Sequence, residues 1–186
     1  MGLLLNPSAW IVRWAHLLEP QSTVLDVACG SGRHLQWFAD RGHRVTGVDR
    51  DIDQAYQRLP GAELVCTDIE SDPWPLAVNG HARTFGAVIV TNYLWRPLMP
   101  AVLSSVAPGG VLLYETFASG NEKLGRPARA DFLLQPGELL RTCVGLQVVA
   151  YENGFLENPP RFVQRIAAVR PQNEATPLRD SSRCAL

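Results

Sequence analysis

The sequence carries no excess charge of either sign: 17 lysines and arginines face 18 aspartates and glutamates, a formal net charge of -1 over 186 residues. That balance excludes a whole-molecule attraction to nucleic acid or to an anionic membrane, and no dedicated nucleic-acid-binding module is legible. Long apolar runs are lacking too, so no membrane span is expected. The start, Met1-Gly2-Leu3-Leu4-Leu5, has no cationic stretch before its apolar residues, and Asn6 stands where a myristoylation motif needs Ser or Thr. A cytoplasmic location is the expectation. Cysteine is scarce and scattered: Cys29, Cys66, Cys143 and Cys184 form no C-x-x-C and no Cys/His cluster. Neither a metal site nor a disulfide framework is therefore expected. Internal repeats are absent as well.

What is present suits one globular domain, since 46% of the residues are hydrophobic and 19% charged. The expected division is a single domain over residues 1–170, with an N-terminal helical lid over 1–20, and a flexible tail over 171–186. A monomer or weak homodimer is expected. Asn6-Pro7 reads as a helix start, with Trp10, Trp14, Leu17 and Leu18 on one face and Pro20 as the stop. Thr23 to Ala28, Arg44 to Val48, Ala62 to Thr67, Phe85 to Thr91 and Val111 to Thr116 read as strands. Helices are expected after Gly32, over Asp51 to Leu59, over Pro97 to Val106 and over Glu138 to Val144. Gln147 to Tyr151 and Phe162 to Val169 read as a closing antiparallel pair, joined through Asn153-Gly154 and Asn158-Pro159-Pro160. Near-continuous apolar strands alternating with helices indicate an α/β fold whose parallel sheet is covered on both faces. The polar segment over 117–136 interrupts that rhythm, and such irregular segments are usually functional.

The most informative run is Asp26-Val27-Ala28-Cys29-Gly30-Ser31-Gly32, placed between a strand and a helix. Glycines at such a turn let backbone approach a ligand where a Cβ would intrude, and the helix start beyond offers unpaired N–H groups. In a dinucleotide enzyme the arrangement holds a pyrophosphate; in a methyltransferase it faces the carboxylate of a methionine moiety, with Asp26 positioned for the ammonium group. Asp49, ending the second strand, is spaced to accept ribose hydroxyls. A nicotinamide site calls for a third glycine where Leu35 stands. A structural turn in an unrelated α/β protein is the plain alternative.

The run Asp-x-x-Cys-Gly-x-Gly, with an acid at the next strand end, resembles the class I S-adenosylmethionine (SAM)-dependent methyltransferases from about Val24 to Val169. Asp68 stands where that family places an acid against the adenine amino group, with Ile69 beside the ring. Thr91-Asn92-Tyr93 ends the fourth strand, which in the family runs under the methyl donor, and Pro108-Gly109-Gly110 resembles the family's turn into strand five. Within the class, Cys29-Gly30-Ser31-Gly32-Arg33, Tyr114-Glu115-Thr116-Phe117 and Pro136-Gly137-Glu138-Leu139-Leu140 are similar to the small tellurite-resistance-type branch. His34 departs from the smaller polar residue common there. The resemblance implies a Rossmann-like three-layer sandwich with a mostly parallel seven-stranded sheet in the order 3-2-1-4-5-7-6. It implies SAM as cofactor, bound through Asp26, Ala28, Cys29, Gly30, Gly32, Asp49, Arg50, Asp68, Ile69, Thr91 and Asn92.

Methyl transfer from a sulfonium is an in-line displacement, so alignment can supply much of the catalysis. The absence of Pro-Pro after Asn92 disfavours base N-methylation of DNA. Tyr93 and Glu115 are the candidate catalytic or polar contacts, with a surface ion pair as the alternative for Glu115. Tyr93, Trp95 and Trp10 or Trp14 are candidates for an aromatic wall near the cationic donor; core packing is the alternative for the tryptophans. Arg126 and Arg129, with Lys123, are the candidate contacts to an anionic acceptor, the alternative being solvated loop charges. His16, His34, His43 and His81 have no partner legible in the sequence. The leading expectation is methyl transfer to a small-molecule acceptor; the others are action on RNA or protein, or non-catalytic SAM binding.

Overall fold

The computed structural model describes residues 6–172. Its strands are β1 (Thr23–Val27), β2 (Arg44–Asp49), β3 (Glu63–Cys66), β4 (Ala77–Val78), β5 (His81–Ala82), β6 (Phe85–Thr91), β7 (Val106–Phe117), β8 (Gln147–Glu157) and β9 (Pro160–Val169). The helices are α1 (Ala9–Trp14), α2 (Arg33–Ala39), α3 (Asp53–Arg58), α4 (Met99–Ser104) and α5 (Glu138–Thr142). Seven strands form one sheet in the order β3-β2-β1-β6-β7-β9-β8. Without the separate β4–β5 hairpin in the count, this is the expected 3-2-1-4-5-7-6. The first five strands of the sheet are parallel, and β9 pairs antiparallel with both β7 and β8.

Alternation along the strands explains why both faces are apolar. Leu25, Val88, Val90, Leu112, Tyr114 and Ile166 pack with Leu98, Met99 and Val102 of the α4 region and Leu139 of α5. Their neighbours Val24, Ala87, Ile89, Val111, Leu113 and Ala167 point the other way, onto Trp10, Ile11 and Trp14 of α1 and Phe38 of α2. Two cores thus share one sheet, as period-two side-chain alternation requires of a sheet sandwiched between helices.

Local boundaries depart from expectation for identifiable reasons. Ser8, not Asn6, caps α1: its Oγ accepts the Trp10 N–H at 3.1 Å while its own backbone is extended (φ -59, ψ 135). Asn153-Gly154 is not a turn but lies inside β8, facing Gln164 and Val163, because pairing with β9 continues to Glu157↔Pro160. Pro108-Gly109-Gly110 falls within the irregular start of β7, which begins at Val106. In the turn-rich stretch before β6, Asn79 and Gly80 take positive φ (51 and 77), the geometry that closes the short β4–β5 hairpin. Of the expected tail, residues 173–186 lie outside the described residues, as do Met1 to Leu5 and Cys184.

Candidate functional site

In an open parallel sheet the ligand crevice forms beyond the strands' C-terminal ends, where the strand order reverses. Here that point lies between β1 and β6. The chain leaving β1 turns through Ala28, Gly30 and Gly32, all at positive φ (55, 52 and 70). Gly32 is required twice over: its backbone is left-handed, and a Cβ there would stand 3.1 Å from the Ala55 Cβ. Asp49 secures the loop from β2, its Oδ2 accepting the Gly30 N–H at 2.7 Å and its Oδ1 the Asp51 N–H at 3.1 Å. A carboxylate has about four lone-pair positions, so Asp49 keeps acceptor capacity for a ligand.

Beside this loop lies a cavity of about 290 Å³ lined by Ala28, Asp49, Arg50, Thr67, Asp68, Ile69, Glu70, Tyr93 and Phe132. Six of these were legible in the sequence: Ala28, Asp49, Arg50, Asp68, Ile69 and Tyr93. Thr67 and Glu70 flank residues already singled out. Phe132 comes from the 117–136 segment. Arg96 holds that segment in place. Its guanidinium bonds both Glu138 carboxylate oxygens (2.7 and 3.0 Å) and the carbonyls of Asp131 and Leu133 (2.7 and 3.0 Å). Burial, followed by the charges of Glu70 and Asp68, pushes the Tyr93 phenol well above its ordinary range. It therefore stays protonated, and its buried hydroxyl has no hydrogen-bond partner among the described residues.

Asp26, Cys29, Gly30, Gly32, Thr91 and Asn92 do not line that cavity. They form the loop and strand ends next to it. Asp26 is 1% exposed, and neither of its carboxylate oxygens has a hydrogen-bond partner. A buried carboxylate without a hydrogen bond is costly, a cost that a cationic group placed beside it would offset. Nδ1 of the buried His34 lies 3.5 Å from Oδ2. The other ring nitrogen, Nε2, accepts the Ser8 backbone N–H at 3.1 Å. His34 thus has the partners that sequence reasoning did not find. Burial, with the charges of Asp26 and Asp49, pushes the Cys29 thiol far up, which keeps it un-ionised and inert.

Several expected substrate contacts are placed elsewhere. Glu115 is not at the surface: at 2% exposure it accepts from Ser8 Oγ (3.0 Å), Arg165 (3.1 Å) and Arg161 (3.5 Å). Its carboxylate is committed to that network instead of being directed into the cavity. Trp10 packs in the core under α1, its Nε1–H donating to the Ile166 carbonyl at 3.2 Å; Trp14 packs in the same core. Arg126 is exposed, and Arg129 is exposed and paired with Asp131 at 2.8 Å. Neither lines the cavity.

Two other arginines stand closer to the strand ends. Arg33 is half-buried, and among the described residues it makes only long contacts, to the Asn6 carbonyl and Thr91 Oγ1, both 3.5 Å. Burial lowers its proton affinity; Asp26 and Glu115 oppose that, and Arg161 adds repulsion. Arg161 keeps a buried Nε with no partner. The glycine turn signalled Arg33 by position, whereas Arg161 had no signal. Among the described residues, no group of three or more His, Cys, Asp or Glu is gathered as a metal would need.

The comparisons agree with this geometry. Residues 24–110, a little under half of the chain, match the family described as a methyltransferase domain. The malonyl-[acyl-carrier protein] O-methyltransferase of Serratia marcescens is 33% identical over 115 residues, which is 58% of this chain and 43% of that protein. The chain thus spans less than half the length of the curated relatives it matches. Among solved structures, TehB from Haemophilus influenzae superposes with a TM-score of 0.68 at 18% identity, covering 88% of this chain and 62% of that one. A TehB-like SAM-dependent methyltransferase from Corynebacterium glutamicum gives 0.64 at 19% identity, with 89% of each chain covered. The loop, the strand order and the match agree: residues 24–110 are similar to a methyltransferase domain, and the fold is that of the solved SAM-dependent methyltransferase it superposes on.

Proposed function

We propose that this chain transfers the methyl group of SAM to a small-molecule acceptor, and that Arg33 and Arg161 receive an anionic or strongly polar group of that acceptor. The observation that carries the cofactor half is the buried Asp26 carboxylate without a hydrogen-bond partner beside the glycine loop. When bound, SAM supplies a methyl group already activated by its sulfonium.

The residues of the chain have separable tasks. Asp26 holds the ammonium of the methionine moiety, and the Ala28-Cys29-Gly30-Ser31-Gly32 backbone follows that moiety closely. Asp49 accepts the ribose hydroxyls while keeping the Gly30 and Asp51 amides, with Arg50 at the rim. Asp68 accepts the adenine amino group, and Ile69 and Phe132 enclose the ring. Tyr93 donates into the cavity and its ring wall favours positive charge. Thr91 and Asn92 border the path between donor and acceptor. Arg33 and Arg161 are under-partnered cations whose mutual repulsion an anion would relieve. A soft or anionic nucleophile held in line needs no general base, so positioning is the chain's main contribution.

The name of the Serratia marcescens relative motivates a second reading, an acceptor carboxylate carried on an acyl-carrier protein. The chain is read as cytoplasmic and monomeric or weakly dimeric. Calorimetric titration with S-adenosylhomocysteine tests the cofactor half, and absence of binding refutes it. A panel of free and carrier-bound acceptors, followed by S-adenosylhomocysteine release, tests the rest. Arg161→Gln is expected to raise KM for an anionic acceptor about tenfold, the size of one lost charge-assisted bond, with little change in S-adenosylhomocysteine affinity. An unchanged KM would refute the acceptor assignment.

A further inference from the structure

His34 sits between two parts of the molecule that the reaction must coordinate. Its Nδ1 faces the Asp26 carboxylate, and its Nε2 accepts the backbone N–H of Ser8. A backbone N–H can only donate, so Nε2 must be bare and the ring proton must be on Nδ1, directed at Asp26. Ser8 in turn caps α1, and its Oγ donates to Glu115 while Arg33 reaches the Asn6 carbonyl. The segment from Asn6 into α1 is thus tied at three places, to Arg33 and His34 of α2 and to Glu115 of β7.

We infer that His34 is a positioning residue that couples the seating of this N-terminal segment to the occupancy of Asp26. The inference rests on the SAM-site reading above. With the proton on Nδ1, the Asp26–His34–Ser8 chain has a donor facing an acceptor at each step. A ligand ammonium on Asp26 fixes the carboxylate that Nδ1–H faces, which holds the ring and, through Nε2, the Ser8 N–H. By reciprocity, a seated segment favours the cationic ligand by the same factor.

The test is amide hydrogen exchange over residues 6–14 of the full chain, with and without S-adenosylhomocysteine. In the wild type the ligand is expected to slow exchange of the Ser8 to Trp14 amides about tenfold, a typical coupling between sites. His34→Gln retains an acceptor for Ser8 and a donor for Asp26, so it should keep the ligand effect. His34→Phe should bind ligand yet show fast exchange that the ligand does not change. Ligand binding by the wild type with no change over residues 6–14 overturns the inference, as does a ligand effect that is lost in His34→Gln. Both results stand even where His34→Phe does not fold. Failure of the wild type to bind the ligand at all refutes the cofactor reading instead.

Discussion

Replacing Asp26 by Asn should move stability and binding in opposite directions. The side chain is buried, isosteric with Asn, and has no hydrogen-bond partner on either oxygen. Leaving a buried charged group unsatisfied costs about 1–3 kcal/mol or more, and a neutral amide removes most of that penalty while its oxygen still faces the His34 Nδ1–H. The ligand-free variant should therefore gain about 1–2 kcal/mol, or roughly 3–6 °C in Tm for a domain of this size. Binding should suffer. Truncating one partner of a buried charge pair typically costs about 2–5 kcal/mol, and at the low end, about 2–3 kcal/mol, the dissociation constant for S-adenosylhomocysteine rises roughly 30- to 150-fold. Thermal unfolding with and without ligand, paired with calorimetric titration, measures both quantities in one protein. An Asp26→Asn variant that is less stable than wild type and binds with unchanged affinity would refute the view of Asp26 as an ammonium acceptor held ready at a local stability cost.

Arg96→Ala should free the 130–135 stretch that carries Phe132, lowering stability by about 1–2 kcal/mol, since the guanidinium is partly exposed. Limited proteolysis within that stretch should accelerate, and unchanged cleavage would argue against the clamp. Glu138 gives a pH dependence of known sign. Burial pushes its carboxyl up, but Arg96 and the Gln135 N–H pull it down further, leaving it below the ordinary glutamate value. Its contribution is therefore full above the unfolded pKa of about 4.3 and is lost as pH falls through the lower folded value. The Tm gap between wild type and Glu138→Gln should be constant at neutral pH and close on acidification; a gap that widens in acid contradicts the assignment. Thiol alkylation mapped by mass spectrometry should modify the exposed Cys66 in the native protein. Cys143, pushed up to about 11 by burial, and the buried Cys29 should react only after unfolding; native labelling of Cys29 would contradict its inert placement.

How much was legible varied with how local the cause was. The strand–glycine loop–helix–strand unit was readable because each part has a short-range signature: β-branched apolar residues in β1, glycines where φ must be positive, and an acid at the next strand end. The same logic failed at Asn153-Gly154, a good turn dipeptide that pairing with β9 holds extended. Glu115 shows the corresponding limit for the site. Its position at a strand end was clear, but which neighbours occupy its carboxylate depends on Ser8, Arg161 and Arg165 arriving from far along the chain.

The sequence by itself determined the α/β class, the strand order by resemblance, and the strand–glycine loop–helix–strand unit around Asp26, Gly30, Gly32 and Asp49. These features follow from residue type and from spacings of about 20 positions or fewer, which the chain cannot satisfy in another way without losing the parallel strand–helix unit. Only the tertiary structure decided which distant residues meet around that unit. Ser8 reaches His34 across 26 positions and Glu115 across 107, and Phe132 enters the cavity from a segment clamped by Arg96. Such meetings depend on strand register and helix seating. A one-residue slip in a strand would turn every side chain to the opposite face, so no pattern confined to one segment can announce them.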